Sequence, residues 1–144
     1  MRSSIITYLD NNKPSGFSVS QNLPFEQNGS ALYLQNLKTL YVDQPLTEQE
    51  PLYDTLDDSP IVSETTIVNI YVVTDAKVLP TDYDSMVTVV KASKDISTIT
   101  GYTTKRVNVT TSYVAGDQLL TQFEVRYSKT VSYTHLTLPT KRIV

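Results

Sequence analysis

The segment Thr65-Thr-Ile-Val-Asn-Ile-Tyr-Val-Val-Thr74 constrains this chain more than any other stretch. Its β-branched density favours an extended conformation over a helix. Val68, Ile70 and Val72 share one side of such a strand, and Ile67, Tyr71 and Val73 share the other. A strand apolar on both sides has to be covered on both. It is therefore expected at the centre of a sheet, with its second side covered within the chain or at a subunit contact.

The flanking segments supply the rest of the layers. Ile5 and Leu9, four residues apart behind Ser3-Ser4, predict a short N-terminal helix capped by Ser3 or Ser4. The turn formers Asn11 to Gly16 end it. Phe17–Ser20 reads as a short strand, and a further strand is expected over Leu32–Leu34 running on to Lys38–Val42. Asp43 to Glu64 contains Pro45, Pro51 and Pro60 among many acidic residues, and is read as one long extended loop. Pro80 opens a second helix, with Thr81 as its expected cap and Tyr83, Met86, Val87 and Val90 on its buried face. Past Gly101, Val107, Val109, Thr111 and Tyr113 alternate with polar residues. After the turn Ala115-Gly-Asp117, Leu119, Phe123, Val125 and Tyr127 do the same. That pattern predicts an antiparallel hairpin with one apolar side. The expected fold class is α+β: two helices packed on one mainly antiparallel β-sheet, with a long acidic loop.

The C-terminal end stands apart. Val131-Ser-Tyr-Thr-His-Leu-Thr-Leu-Pro-Thr140 resembles the one-frame translation of a transposon-end adapter used in sequencing libraries. Residues 131–144 are therefore read as an adapter-derived tail fused to a domain spanning residues 1–130, and authentic C-terminal residues are expected to be missing. The alternative is a real terminal strand, since Val, Tyr and Thr suit one. Without this tail the net charge moves from −3 to −5 and the lone histidine, His135, disappears.

Composition then narrows the chemistry. With no cysteine and no histidine before the tail, a disulfide framework, a thiolate zinc site and Ser-His-Asp or Cys-His catalysis have no residues to use. Four glycines in 144 residues disfavour a glycine-rich phosphate cradle, and the acidic balance disfavours a nucleic-acid face. No secretory signal or membrane span is visible, so the default expectation is a soluble intracellular domain. Asp54, Asp57 and Asp58 lack the glycine and closing glutamate of a calcium loop and are read as a solvated acidic loop. Asn28-Gly-Ser30 and Asn108-Val-Thr110 fit the glycosylation pattern by coincidence, and Lys105-Arg106 reads as a solvated basic pair. The aromatic set is rich in tyrosine: Tyr33, Tyr41, Tyr71 and Tyr113 fall in expected strands, as core residues or as amphipathic contacts at a subunit interface.

Taken as an ordered set, Leu37–Asp43, Glu64–Asp75, Leu79–Met86 and Gly101–Tyr127 resemble the elements of the tail terminator, or tail completion, proteins of long-tailed bacteriophages. The resemblance spans nearly all of residues 1–130 and rests on element order and patterning. It implies a structural role in the virion, with assembly in the host cytoplasm. Copies would form a ring, usually a hexamer, that caps the tail-tube protein, stops tube growth and joins the head-tail connector protein. It implies no enzyme activity, cofactor, metal, membrane or direct nucleic-acid contact.

The residues expected to make these contacts are Tyr53, Asp54, Asp57 and Asp58 in the acidic loop and Ile67, Tyr71 and Val73 on the central strand. Other readings are a head-tail connector or stopper, a tail-tube or baseplate subunit, and a small enzyme using a carboxylate pair. A deep pocket with two close carboxylates would favour the enzyme; an acidic surface with an apolar strand face would favour assembly.

Overall fold

A computed structural model of the chain describes residues 1–20, 37–53, 61–75, 77, 80–113 and 117–132. Helix α1 (Arg2–Asn12) and helix α2 (Pro80–Ala92) lie with a short 3₁₀ turn, Ser93–Asp95, on one side of a six-stranded sheet. The strands are β1 (Ser18–Ser20), β2 (Thr39–Val42), β3 (Leu46–Tyr53), β4 (Ile61–Asp75), β5 (Thr104–Tyr113) and β6 (Gln118–Ser132). Their order is β1-β2-β4-β6-β5, with β3 pairing β4 beyond the end of β2. Only β1–β2 is parallel. The α+β class and the mainly antiparallel sheet are as expected.

Central β4 pairs β6 along its whole length, from Ile61 opposite Ser132 to Asp75 opposite Gln118. Its even-numbered residues Val68, Ile70 and Val72 are buried with Phe123 and Val125 of β6 and Leu40 and Val42 of β2. From the helical layer, Ile5 and Leu9 of α1 and Met86 and Val90 of α2 complete this core, with Tyr83 and Val87 packed at its margin. The expected antiparallel hairpin is present: Val107 faces Val125, Val109 faces Phe123 and Tyr113 faces Leu119.

Hydroxyls tie the layers together. Tyr8 donates to the Val89 carbonyl at 3.0 Å, joining α1 to α2, and Tyr127 donates to the Ser93 carbonyl at 3.2 Å. Burial, then the nearby Asp95 carboxylate, pushes both phenols above their usual pKa.

Three local expectations need correction. Helix α1 starts at Arg2, so Ser3 and Ser4 lie inside its first turn and neither caps it. Its start is fixed by tertiary contacts instead, since the Arg2 guanidinium donates to the Val42 carbonyl from Nε at 3.1 Å and from Nη2 at 2.9 Å. Helix α2 starts at Pro80, whose fixed φ suits the first helical position, so Thr81 is not its cap.

The third correction concerns Asp43 to Glu64, which is not one loop: Leu46–Tyr53 forms β3 and Ile61–Glu64 opens β4. Pro51 is tolerated because β3 pairs with β4 alone among the described residues, so one side of the strand needs no donor. The possible strand Leu32–Leu34 and the centre of the turn Ala115-Gly-Asp117 lie outside the described residues. At the other end, β6 continues through Val131 and Ser132, opposite Val62 and Ile61, two residues past the expected boundary. Such main-chain pairing asks only for strand-compatible residues.

Candidate assembly surface

The odd-numbered side of β4 faces away from the helices. Directly opposed residues share a sheet face, so the registers group Ile67, Asn69, Tyr71 and Val73 of β4 with Tyr41 of β2 and with Leu120, Gln122, Glu124 and Arg126 of β6. Arg106, Asn108 and Thr110 of β5 and Leu46, Glu48 and Glu50 of β3 extend this face outwards. The helix side is therefore the apolar core, and this second side is a mixed, largely polar plane with an apolar centre.

At that centre Tyr41 and Val73 are buried, with half-buried Tyr71 and Leu120 packed against them. Burial raises the Tyr71 phenol pKa first, and the Asp43 and Glu124 carboxylates raise it further. Around it the polar groups pair across strands: Gln122 Nε2 donates to Asn69 Oδ1 at 3.3 Å, and the Thr65 and Ser128 hydroxyls share a bond at 3.1 Å. Arg126 Nε pairs with Glu124 two residues away on the same strand.

Towards the Tyr53 end, β3, β4 and β6 form a three-stranded polar extension. Here the Thr47 and Thr66 hydroxyls meet at 3.2 Å, Gln49 Nε2 donates to Glu64 Oε2 at 3.1 Å, and Lys129 Nζ lies 3.7 Å from Glu64 Oε1. Leu46, at its base, is 57% exposed.

The expected contact residues are placed unequally. Ile67, Tyr71 and Val73 do share the face away from the helices, but Ile67 and Val73 are buried within the chain and Tyr71 is only partly accessible. Tyr53 ends β3, opposite Ile61. Asp54, Asp57 and Asp58 lie outside the described residues.

Three charges are more exposed, two in the stretch expected to be an acidic loop and one in the basic pair Lys105-Arg106. Glu48 and Glu50 on β3 and Arg106 on β5 are exposed, and none has an ion-pair or hydrogen-bond partner through its side chain among the described residues. Leu46-Thr-Glu-Gln-Glu-Pro51 carries no apolar alternation, so nothing in this stretch marks β3 in the sequence.

The described cavities are open grooves around the start of α1. Two of them measure about 350 and 340 Å³; the first is lined by Arg2, Ser3, Ile6, Thr7 and Gln44, and the second by Ser3, Ser4, Thr7, Tyr8, Ile96 and Thr98. No carboxylate lines either. Among the described residues no three His, Cys, Asp or Glu side chains are grouped to hold a metal, and no helix is long and apolar enough to cross a membrane. Compared with known protein families and curated proteins, the chain matches no family model and no curated protein.

Proposed function

We propose that this chain is a structural protein of a phage virion. In this reading it forms a ring on the end of the tail tube, stops tube growth and joins the tube to the head connector. The observation that supports the reading is the second face of the sheet. A helical layer covers one side of β4, while the other side carries a small buried apolar cluster, with half-buried Tyr71 and Leu120 at its margin, within a broad polar plane that runs out to β3 and β5, each of which has one strand partner among the described residues. Such a surface suits contact with further protein subunits more readily than it suits a small substrate. Its exposed acidic residues disfavour random association and suit docking on a complementary template.

The test is to add the purified protein to polymerising tail-tube protein from a long-tailed phage and measure tube lengths by electron microscopy. Capped tubes with an added ring at one end are expected. Unlimited tube growth with no protein at the ends, using tube protein from the same virus, would reject the reading.

A further inference from the structure

The sheet has two long strands with only one partner each among the described residues: β3, which pairs β4, and β5, which pairs β6. An exposed edge is a template for another strand unless something protects it. β5 has little protection. It runs for ten residues without proline or glycine, is rich in Val and Thr, and ends on Tyr113, which is 75% exposed.

The main-chain alternation shows which groups these edges offer. Asp43 N donates to Asn69 O and Lys38 N to Val73 O, so odd-numbered residues of β4 turn their main-chain groups towards β2 and β3. Even-numbered ones turn towards β6. Carried through the printed registers, this leaves the main-chain groups of Val107, Val109 and Thr111 facing outward from β5, and those of Thr47 facing outward from β3. Pro51 falls in the outward set too; its missing N–H breaks no ladder bond within the chain, and it offers an added strand only its carbonyl at that position.

The two edges are complementary in three respects. Since β3–β4, β4–β6 and β6–β5 are all antiparallel, β3 and β5 run in opposite directions. A second copy in the same orientation therefore meets β5 with an antiparallel β3. Their charges are opposite and lie on the same sheet face, Arg106 on β5 and Glu48 and Glu50 on β3, and all three lack partners within the described chain. Finally, pairing Arg106 with Glu50 gives a stagger that suits closure. Arg106 lies in the row of Ile67, and Glu50 in that of Ser63, four residues along β4. That is about 13 Å along the strands, against about 19 Å across the four strand spacings to the next copy's β3. The resulting inclination of about 35° is that of strands in closed sheets.

We infer that a second copy of this chain occupies these edges, β5 of one copy adding to β3 of the next with Arg106 opposite Glu50 and diagonal to Glu48. In that register Val109 falls opposite Thr47, both with outward main-chain groups. The contact is head-to-tail, so each copy keeps one edge free for a further copy until a ring closes. The inference rests on the self-assembly part of the reading above and is independent of any tail tube.

Two full-length variants test it, Arg106→Glu and the pair Glu48→Arg with Glu50→Arg, each checked for native circular dichroism and thermal unfolding. Mass is followed by light scattering across a concentration series. The wild type should associate beyond a dimer, and each variant alone should associate about tenfold or more weakly. An equimolar mixture should recover association, because both mixed contacts restore opposite charges. A wild type that stays monomeric up to about 1 mM, a β3 variant that associates like the wild type, or a mixture that recovers nothing would overturn the inference. A monomer that still capped tubes would overturn this contact and leave the tail reading standing. Association through these edges without capping would do the reverse.

Discussion

Arg106 stands directly across from Arg126 in the β5–β6 ladder, and the two cations are not equivalent. Arg126 has a carboxylate on its own strand, Glu124, in contact with its Nε, whereas Arg106 has no charged partner among the described residues. Like charges opposed across two strands oppose folding. The position is thus locally unfavourable within one copy, at the place where the sheet ends.

Replacing Arg106 should therefore have opposite effects on folding and on association. Arg106→Thr is expected to raise the stability of the isolated chain by about 0.2–0.5 kcal/mol, through loss of the opposed charge and a residue well suited to a strand. The same variant should associate more weakly than the wild type. Urea unfolding at low protein concentration, set beside light scattering at high concentration, measures the two effects separately.

The two sides of the sheet should differ sharply in their tolerance of truncation. Ile70 is fully buried between the helices and the sheet, so Ile70→Ala removes packed atoms and leaves a cavity. A loss of about 2–5 kcal/mol is expected. Thr110, exposed on β5, should change stability by less than about 0.5 kcal/mol when replaced by Ala. Denaturant midpoints with an unchanged slope measure both changes as differences in stability.

The sequence carries the elements with strong local periodicity and loses those set by tertiary contacts. The alternation of Val68, Ile70 and Val72 against Ile67, Tyr71 and Val73 is readable because both sides are apolar, and the hairpin register follows from Val107, Val109, Phe123 and Val125. The start of α1 is not readable, because Arg2 reaches the carbonyl of Val42, forty positions away. Strand β3 is hidden because Pro51 and the acidic residues argue against a central strand, while an edge strand accepts both. The candidate surface fails to appear in the sequence for a related reason. Glu48, Glu50 and Arg106 look like ordinary solvated charges until the order of the strands places them on two opposite edges.

The stability of the fold should depend on pH on the alkaline side through Tyr127. Its phenol is buried and donates to the Ser93 carbonyl, and burial followed by Asp95 and Tyr102 favours the neutral form. A pKa raised in the folded state means that this contribution is complete below the unfolded value, near 10, and is lost as pH rises above it towards the folded value. Tyr8 and Tyr71 shift in the same direction. Tyr127→Phe should cost about 1 kcal/mol at pH 8, where the carbonyl loses its donor. It should also lose less stability than the wild type between about pH 10 and 11. Urea titrations at these pH values test both parts; parallel losses in the two proteins would exclude Tyr127 as the source.

Shortening the C-terminus should separate the residues that hold the sheet together from those that only prolong it. Tyr127 is fully buried against the core and faces Thr66, while Val131 and Ser132 pair only with Val62 and Ile61 at the far end of β4. A chain ending at Thr130 is therefore expected to keep its circular dichroism and to unfold within about 1 kcal/mol of the full chain, since among the described residues it loses only terminal ladder bonds. A chain ending at Arg126 loses the Tyr127 ring, its bond to Ser93 and the Lys129–Glu64 pair together. It should fall by about 3–5 kcal/mol, or fail to fold. Thermal unfolding of the two truncated proteins beside the full chain measures the difference. Equal losses in both would mean that residues 127–130, the buried Tyr127 included, add nothing to the fold beyond what is lost with residues 131–144.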